Sequence, residues 1–143
     1  PVEMQQFNLV VDSGGHGKYR GGLALRREYR VKTNAQYSGG TPRTLVPAHG
    51  VLGGGNGHAG KVRLNPGTDN ELLFEGLVSN VALSAGDVVC METASAGGSG
   101  KPMDRDRDKV ISDLRNGYIT TATAQEIYGL SKSDITKALA IPD

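Results

Sequence analysis

The segment from residue 12 to residue 22 has the composition of a site that holds an anion. It reads Asp-Ser-Gly-Gly-His-Gly-Lys-Tyr-Arg-Gly-Gly, and five of its eleven residues are glycine. Consecutive backbone N–H groups of such a segment can line a concavity for an anion, and lysine and arginine add positive charge. It is not a phosphate-binding P-loop, because no Gly-Lys-Ser/Thr ending and no helical pattern follow. Spacing alone favours a tightly bent connection between strands, with the arginine bonded to backbone carbonyls, over an anion site. The candidate substrate or partner contacts are Gly14, Gly15, His16, Lys18 and Arg20.

A second glycine-rich segment, from residue 50 to residue 60, adds the candidate contacts Gly53, Gly54 and Gly55. His49 and His58 flank this segment and could bind a metal. However, no carboxylate stands at a helix or hairpin spacing that would fix the geometry of a metal site with them. We therefore expect no metal site in this chain.

Two further places could carry nucleophilic chemistry. Residues 94–100 read as a third, flexible glycine-rich loop, whose serines have no nearby His–Asp partner. Cys90 is the single cysteine, which excludes an intramolecular disulfide scaffold and a cysteine-rich zinc module. It stands in an apolar run, where a small buried strand residue is favoured over a catalytic thiol. We expect no catalytic residue in this chain.

The net charge of +1 hides a strong segregation of charge along the chain. Residues 13–68 carry nine basic side chains against Glu28 alone, whereas residues 69–92 carry five acidic side chains and no basic one. A basic half raises nucleic acid as a partner, but no binding module or cluster of stacking aromatics accompanies it. We favour acidic strands lying against basic ones, within one sheet or at a subunit contact, and no nucleic-acid partner.

No membrane segment is evident, because no run approaches the roughly 20 apolar residues of a membrane span. The N-terminus lacks a basic patch followed by an apolar stretch. We expect a cytoplasmic protein without a membrane partner. Pro1 without a preceding methionine indicates either removal of the initiator methionine or a cut from a longer chain.

The first 92 residues have the pattern of short β-strands separated by turns. Many short strands with frequent glycine-containing turns are typical of a sandwich or barrel. Turns are expected at Asn65–Pro66–Gly67 and at Ser84–Ala85–Gly86–Asp87. The expected strands are Phe7–Val11, Leu23–Val31, Thr44–Val46, Lys61–Leu64, Leu72–Phe74, Leu77–Leu83 and Val88–Glu92.

Three short helices are expected after Gly100, where glycine becomes rare. The first opens with acids at Asp104–Asp108 and ends at Asn116–Gly117, because acids favour the positive end of a helix and glycine its C-terminal cap. The other two carry capping spacings. The second is capped by Thr121 or Thr123, with Glu126 in capping-box spacing and Gly129 as its stop; the third pairs Ser131 with Asp134 ahead of Ile135–Ala140 and ends at Pro142.

The predicted fold class is therefore mainly β, a glycine-rich β-sandwich or barrel-like domain with a short α-helical C-terminal tail. We place the β domain at residues 1–100. The tail, residues 101–143, is expected to pack on that domain or on a partner, because helices this short do not persist alone in water.

Several motifs follow the first glycine-rich segment in a fixed order along the chain. They are Arg27–Glu28–Tyr29, Leu52–Gly57, Leu83–Val89, Gly98–Val110, Leu114–Ile119 and Ala124–Gly129. Together with residues 12–23 they resemble the C-terminal part of the hydantoinase B/oxoprolinase family, from about Asp12 to Leu130. Residues 93–102 depart from the family's Thr-Pro-Gly-Gly-Gly-Gly-Tyr-Gly-Asp-Pro pattern, so a contact made by that loop in relatives does not carry over.

The resemblance implies a part of an enzyme rather than a whole one. Members of the family are several times longer, with their presumed metal and substrate residues upstream. They belong to ATP-dependent complexes that hydrolyse cyclic amides or carboxylate ketones. It therefore implies a small subunit or C-terminal fragment with larger partners, a hydantoinase A-like chain with an actin-like ATPase fold and a hydantoinase B-like chain. ATP and a divalent metal are expected in those partners, and no cofactor in this chain.

An alternative from another class is a free-standing β-domain module that binds an anionic ligand or protein through its basic first half. A stable, inactive monomer without larger partner chains would favour it. The subunit interpretation instead predicts that the isolated chain has no ATPase, amidase or carboxylase activity.

Overall fold

The computed structural model describes residues 1–140, and in this range seven strands precede three short helices. The strands are β1 (Val2–Leu9), β2 (Leu25–Val31), β3 (Ala35–Gly40), β4 (Lys61–Leu64), β5 (Leu72–Phe74), β6 (Leu77–Leu83) and β7 (Val88–Glu92). The helices are α1 (Arg107–Arg115), α2 (Thr121–Glu126) and α3 (Lys132–Leu139). A short 3-10 turn, Pro102–Asp104, precedes α1. The mainly β fold class with a helical tail is confirmed.

All strand pairs are antiparallel, and they form two sheets. The large sheet has the order β1-β2-β7-β4-β5, and the small sheet pairs β3 with β6. Buried side chains of the two sheets meet in one core: Val31, Val62, Leu64 and Val89 from the large sheet and Leu83 from the small one. The two sheets pack as a sandwich, which is one of the two architectures expected.

Four strands have the bounds that their sequence pattern predicts, but the N-terminal half differs. The first strand covers Val2–Leu9 and not Phe7–Val11, because its polar first half pairs with β2 along the whole length. A bulge between Met4 and Gln6 interrupts the alternation that would have revealed it. Residues 44–46, expected as a strand, are irregular, whereas the weakly patterned Ala35–Gly40 forms β3 by pairing with β6.

The segregated charges lie on neighbouring strands, as expected. Basic β2 and basic β4 flank β7, which carries the acid Glu92, in the large sheet. Glu92 lies opposite Arg26 on one side, and on the other its carboxylate accepts a hydrogen bond from Arg63 over 3.0 Å. Opposite charges on adjacent strands stabilise the sheet internally. This pairing accounts for part of the basic half without an external anion.

Two turns lie side by side: the first joins β4 to β5 within the large sheet, and the second leads from β6 of the small sheet to β7 of the large one. Asn65 and Gly67 adopt positive φ angles of 50° and 76° in the first turn. In the second, Asp87 accepts a hydrogen bond from the Ser84 amide over 2.7 Å. The Asn65 amide group donates to the Asp87 carboxylate over 2.9 Å, which joins the two turns. Both expected turns are therefore present, and they brace each other.

The tail helices begin at polar caps. The Asp106 carboxylate accepts from the Asp108 and Lys109 amides, and Gly117 takes a positive φ of 66° after α1. The cap of α2 is Thr120, not Thr121 or Thr123, because the Thr120 hydroxyl accepts from the Thr123 amide.

Ser131 caps α3 and accepts from the Asp134 amide, as its spacing predicts. The helix begins at Lys132, earlier than the expected Ile135, and the stop expected at Pro142 lies outside the described residues. Among residues 1–140, no helix has the length and apolar character needed to cross a bilayer.

Candidate functional site

The three glycine-rich segments lie together and form one layer beside the sandwich. Segments 12–22, 49–60 and 94–100 are joined by hydrogen bonds between their backbones. The amide of Gly15 donates to Ala96 over 2.9 Å, that of Gly55 to His16 over 2.7 Å, and that of Gly98 to Gly55 over 2.9 Å. We call this arrangement the glycine layer. It contains all eight of the contact residues proposed from sequence.

The layer requires glycine because its backbones touch, and not because of unusual dihedral angles. A Cβ atom on Gly15 would overlap the carbonyl oxygen of Gly55, and one on Gly98 would overlap the carbonyl oxygen of His16. Neither glycine has a φ in the left-handed region. Conformation matters at the tip of the second segment, where Leu52 and Gly53 have φ angles of 53° and 88°, and at the end of the third, where Gly100 has a φ of 76°.

Residues 94–100 occupy the middle of the layer and do not form the free loop expected of them. Ser99 bridges to Tyr19 on one side and to Val51 on the other. The hydroxyl of Ser95 accepts from the His58 amide over 2.6 Å and donates to the Ser13 carbonyl. The segment is therefore the central member of three packed chains. Its serines serve as structural links.

Several of the amides that could have formed an anion cradle are engaged inside the layer. Those of Gly15, Gly21 and Gly55 each donate to a backbone carbonyl. The side chain of Lys18 is exposed, with its ammonium 5.9 Å from the centre of the Tyr19 ring. Of the two interpretations of this segment, the bent connection between strands describes its backbone.

Arg20 joins the glycine layer to the helical tail. Its guanidinium donates to both carboxylate oxygens of Asp113, over 2.9 and 3.2 Å, and to the Gly21 carbonyl over 2.8 Å. Arg105 donates to the same carboxylate over 2.8 Å and to the Lys18 carbonyl over 3.1 Å. We call Arg20, Asp113 and Arg105 the ionic triad. The arginine thus bonds a backbone carbonyl, as expected of the bent connection, and the carboxylate that it binds belongs to this chain.

The triad is largely removed from water. The side chains of Asp113 and Arg105 are 9% exposed and that of Arg20 is 14% exposed. A carboxylate at such a depth is tolerated when charged hydrogen bonds compensate its lost hydration. The ring of Tyr118 lies 5.4 Å from the Arg20 guanidinium and covers it.

Sequence reasoning missed Asp113 and Arg105. A signal for the first exists in α1, where Asp113 stands between the buried positions Val110 and Leu114. A carboxylate within the apolar stripe of a short amphipathic helix indicates a buried cation opposite it. Arg105 carries no comparable local signal, because it lies in a connecting segment.

The three histidines and Cys90 do not come together as one site in the glycine layer. The ring of His16 lies against Gly55, while His49 and His58 are exposed. In the part of the chain that the structure describes, no group of three His, Cys, Asp or Glu side chains is placed to hold a metal ion. Cys90 is a buried strand residue, as expected, and burial raises the pKa of its thiol above the ordinary value.

Comparison with known proteins places this geometry in one family. The sequence model described as Hydantoinase B/oxoprolinase matches residues 1–102. The caprolactamase subunit beta of Pseudomonas jessenii is 31% identical over 142 residues, which cover 91% of this chain and 23% of that protein. The acetophenone carboxylase delta subunit of Aromatoleum aromaticum is 30% identical over 160 residues, which cover 90% of this chain and 23% of that protein.

A solved structure of acetone carboxylase, described as an enzyme of ATP-dependent acetone carboxylation, has the same fold. The two superpose with a TM-score of 0.75 at 16% identity, over 99% of this chain and 26% of that one. The chain spans less than a quarter of the length of the curated relatives it matches, between 22% and 23% for the first of them.

Proposed function

The chain belongs to the hydantoinase B/oxoprolinase family, and we propose that it is the assembly module of an ATP-dependent complex that carboxylates a ketone or hydrolyses a cyclic amide. In this role it binds a larger hydantoinase B-like chain and acts with a hydantoinase A-like chain that has an actin-like ATPase fold. The relationship of the chain to hydantoinase, oxoprolinase and carboxylase complexes supports this assignment of reaction and partners. The module works in the cytoplasm, where ATP is available.

The observation that carries this proposal is how the polar groups of the glycine layer are used. The amides of Gly15 and Gly55, the hydroxyl of Ser95 and the guanidinium of Arg20 all bond within the chain. Groups engaged in this way hold segments together and do not act on a substrate. A rigid layer is what a module needs to present a fixed surface to a larger chain.

ATP and a divalent metal are assigned by this proposal to the larger chains. The residues described here do not fit a metal site, since no group of three potential ligands converges. Residues 12–22 lack the Gly-Lys-Ser/Thr ending of a P-loop. The proposal therefore routes no catalytic step through this chain.

The test is reconstitution. The chain alone, the two larger chains alone and all three together are assayed for ATP hydrolysis that depends on a ketone or cyclic amide. We expect turnover only from the complete set. Turnover by the chain alone, with contaminating partners excluded, would contradict the proposal, as would full turnover by the two larger chains without it.

A further inference from the structure

One face of the large sheet is left half covered. The small sheet packs over β7, β4 and β5, but β1 lies at the opposite edge of the large sheet. Four apolar residues of β1 share the face on which the small sheet packs, because each lies directly opposite a residue of β2 whose side chain is on that face. Val2, Met4, Phe7 and Leu9 are between 42% and 57% exposed. We call these four side chains, with Tyr29 and Met91, the open face.

A cavity of about 220 Å³ lies where the open face meets the small sheet. Val2, Tyr29 and Met91 form its floor, and Ala35 and Tyr37 of β3 form its wall. An apolar cavity of about 150 Å³ is enough for a benzene ring, so this one accommodates a large apolar side chain. Within the described residues β3 pairs only with β6, which leaves the other edge of β3 free.

The open face also contains an unpaired cation. Arg27 lies between Phe7 and Met91 in the register of the sheet, and its guanidinium is 5.5 Å from the centre of the Phe7 ring. Among the described residues, none places a carboxylate within ion-pair distance of Arg27.

These features describe what is missing from the face: apolar side chains and one carboxylate. A group of exposed apolar side chains at the rim of a sandwich core is typical of an interface. A β-strand added to the free edge of β3 would supply both, because the alternate side chains of such a strand point to the core.

We propose that the open face binds an apolar, acid-bearing strand from the part of a hydantoinase B-type polypeptide that this chain does not match. The curated relatives devote more than three quarters of their length to that part. The family match includes β1, so the open face belongs to the segment shared with them. This inference rests on the proposed function, and it names the surface through which the module assembles.

A second copy of the chain fits the face less well. Edge-to-edge pairing of β1 with β1 of another copy would extend the large sheet, as exposed edge strands allow. It would leave the cavity open, because the cavity lies between the large sheet and β3 and not outside the β1 edge. It would also bring no carboxylate to Arg27, whose strand position is one removed from the edge.

The probe for the test is caprolactamase subunit beta from which the segment aligned with this chain has been deleted. Binding of the full chain to it is measured by biolayer interferometry. Phe7→Asp and Arg27→Glu alter the open face, and Asn8→Asp places the same new charge as Phe7→Asp on the opposite face of the same strand. Circular dichroism and urea unfolding confirm that each variant is folded.

We expect the chain to bind the probe, Phe7→Asp and Arg27→Glu each to weaken binding by about tenfold or more, and Asn8→Asp to change it by less than about twofold. Binding that Phe7→Asp and Asn8→Asp affect equally would overturn the open face as the interface and leave the proposed function intact. If the chain binds neither this probe nor any larger chain in the reconstitution, both proposals fail together.

A photo-crosslinking benzophenone side chain in place of Phe7 shows whether the open face is covered by the probe or by a second copy of this chain. Crosslinks to the probe support the proposal, with the same group in place of Asn8 as the control. Crosslinks that join two copies of this chain, in the presence of the probe, would overturn it in favour of a homodimer.

Discussion

The ionic triad should decide whether the tail stays on the glycine layer. Arg20→Ala removes two of the three charged hydrogen bonds that the Asp113 carboxylate accepts, and it leaves the bond from Arg105. Asp113→Ala removes the carboxylate and leaves two guanidinium groups with little access to water. The second change is therefore the more damaging one.

The expected losses in the free energy of unfolding depend on how deeply the triad is buried and on which of its charges keep a partner. After Arg20→Ala the carboxylate keeps one cation, so the free energy of unfolding should fall by about 1–3 kcal/mol, the range for a lost hydrogen bond to a charged group. After Asp113→Ala the loss should be about 3–5 kcal/mol, as for a buried ion pair that is broken from one side. The double variant should lose less than the sum, because both changes act on one interaction.

Equilibrium urea unfolding gives these free energies, and limited proteolysis after Asn116 reports on the tail itself. Lys109→Ala is the control, since Lys109 is exposed on α1 and its replacement should stay within about 0.5 kcal/mol of wild type. The reasoning is refuted if Arg20→Ala unfolds at the same urea concentration as Lys109→Ala and the tail is cut at the wild-type rate.

Three further outcomes are expected. Gly98→Ala should destabilise the fold by about 1–3 kcal/mol or more, because its Cβ overlaps backbone, whereas Gly22→Ala meets no atom within 4 Å and should be tolerated; equal urea midpoints would contradict this. Ile127→Asp should expose the tail to protease and the exposed Lys132→Asp should not, since Ile127 packs on the tail's core; equal cutting would show that this core does not hold the tail. Burial raises the pKa of the Cys90 thiol from its ordinary value of 9.0, so the thiol's contribution to the free energy of unfolding is complete below pH 9 and is lost as pH rises through the pKa of the folded state. The urea midpoint should therefore decline more steeply at alkaline pH in wild type than in Cys90→Ala. Identical declines would count against this reasoning.

Local patterns were enough to locate most of the regular elements. The strands β4 to β7 have the bounds that their alternation and flanking turns predict. The Ser131 cap and the turn glycine at position 117 also followed from spacing alone. Each of these depends on residues within a few positions of one another, so the sequence window contains the whole cause.

The elements that were missed depend on partners far along the chain. The strand β3 has a weak pattern of its own and exists because β6, some 40 residues later, pairs with it. β1 extends over a polar stretch because β2 supplies a continuous ladder. In both cases hydrogen bonds to a distant strand outweigh local preference, which is the usual limit of propensity arguments for strands.

For the candidate site, the sequence by itself determined which residues are special: the glycines, Arg20 and the buried role of Cys90. What these residues do was decided by tertiary structure alone. A glycine conserves space for another backbone only where that backbone arrives, as Gly15 shows against Gly55. Likewise the role of Arg20 depends on Asp113, 93 positions away, because a buried charge is stable only beside the counter-charge that the fold brings to it.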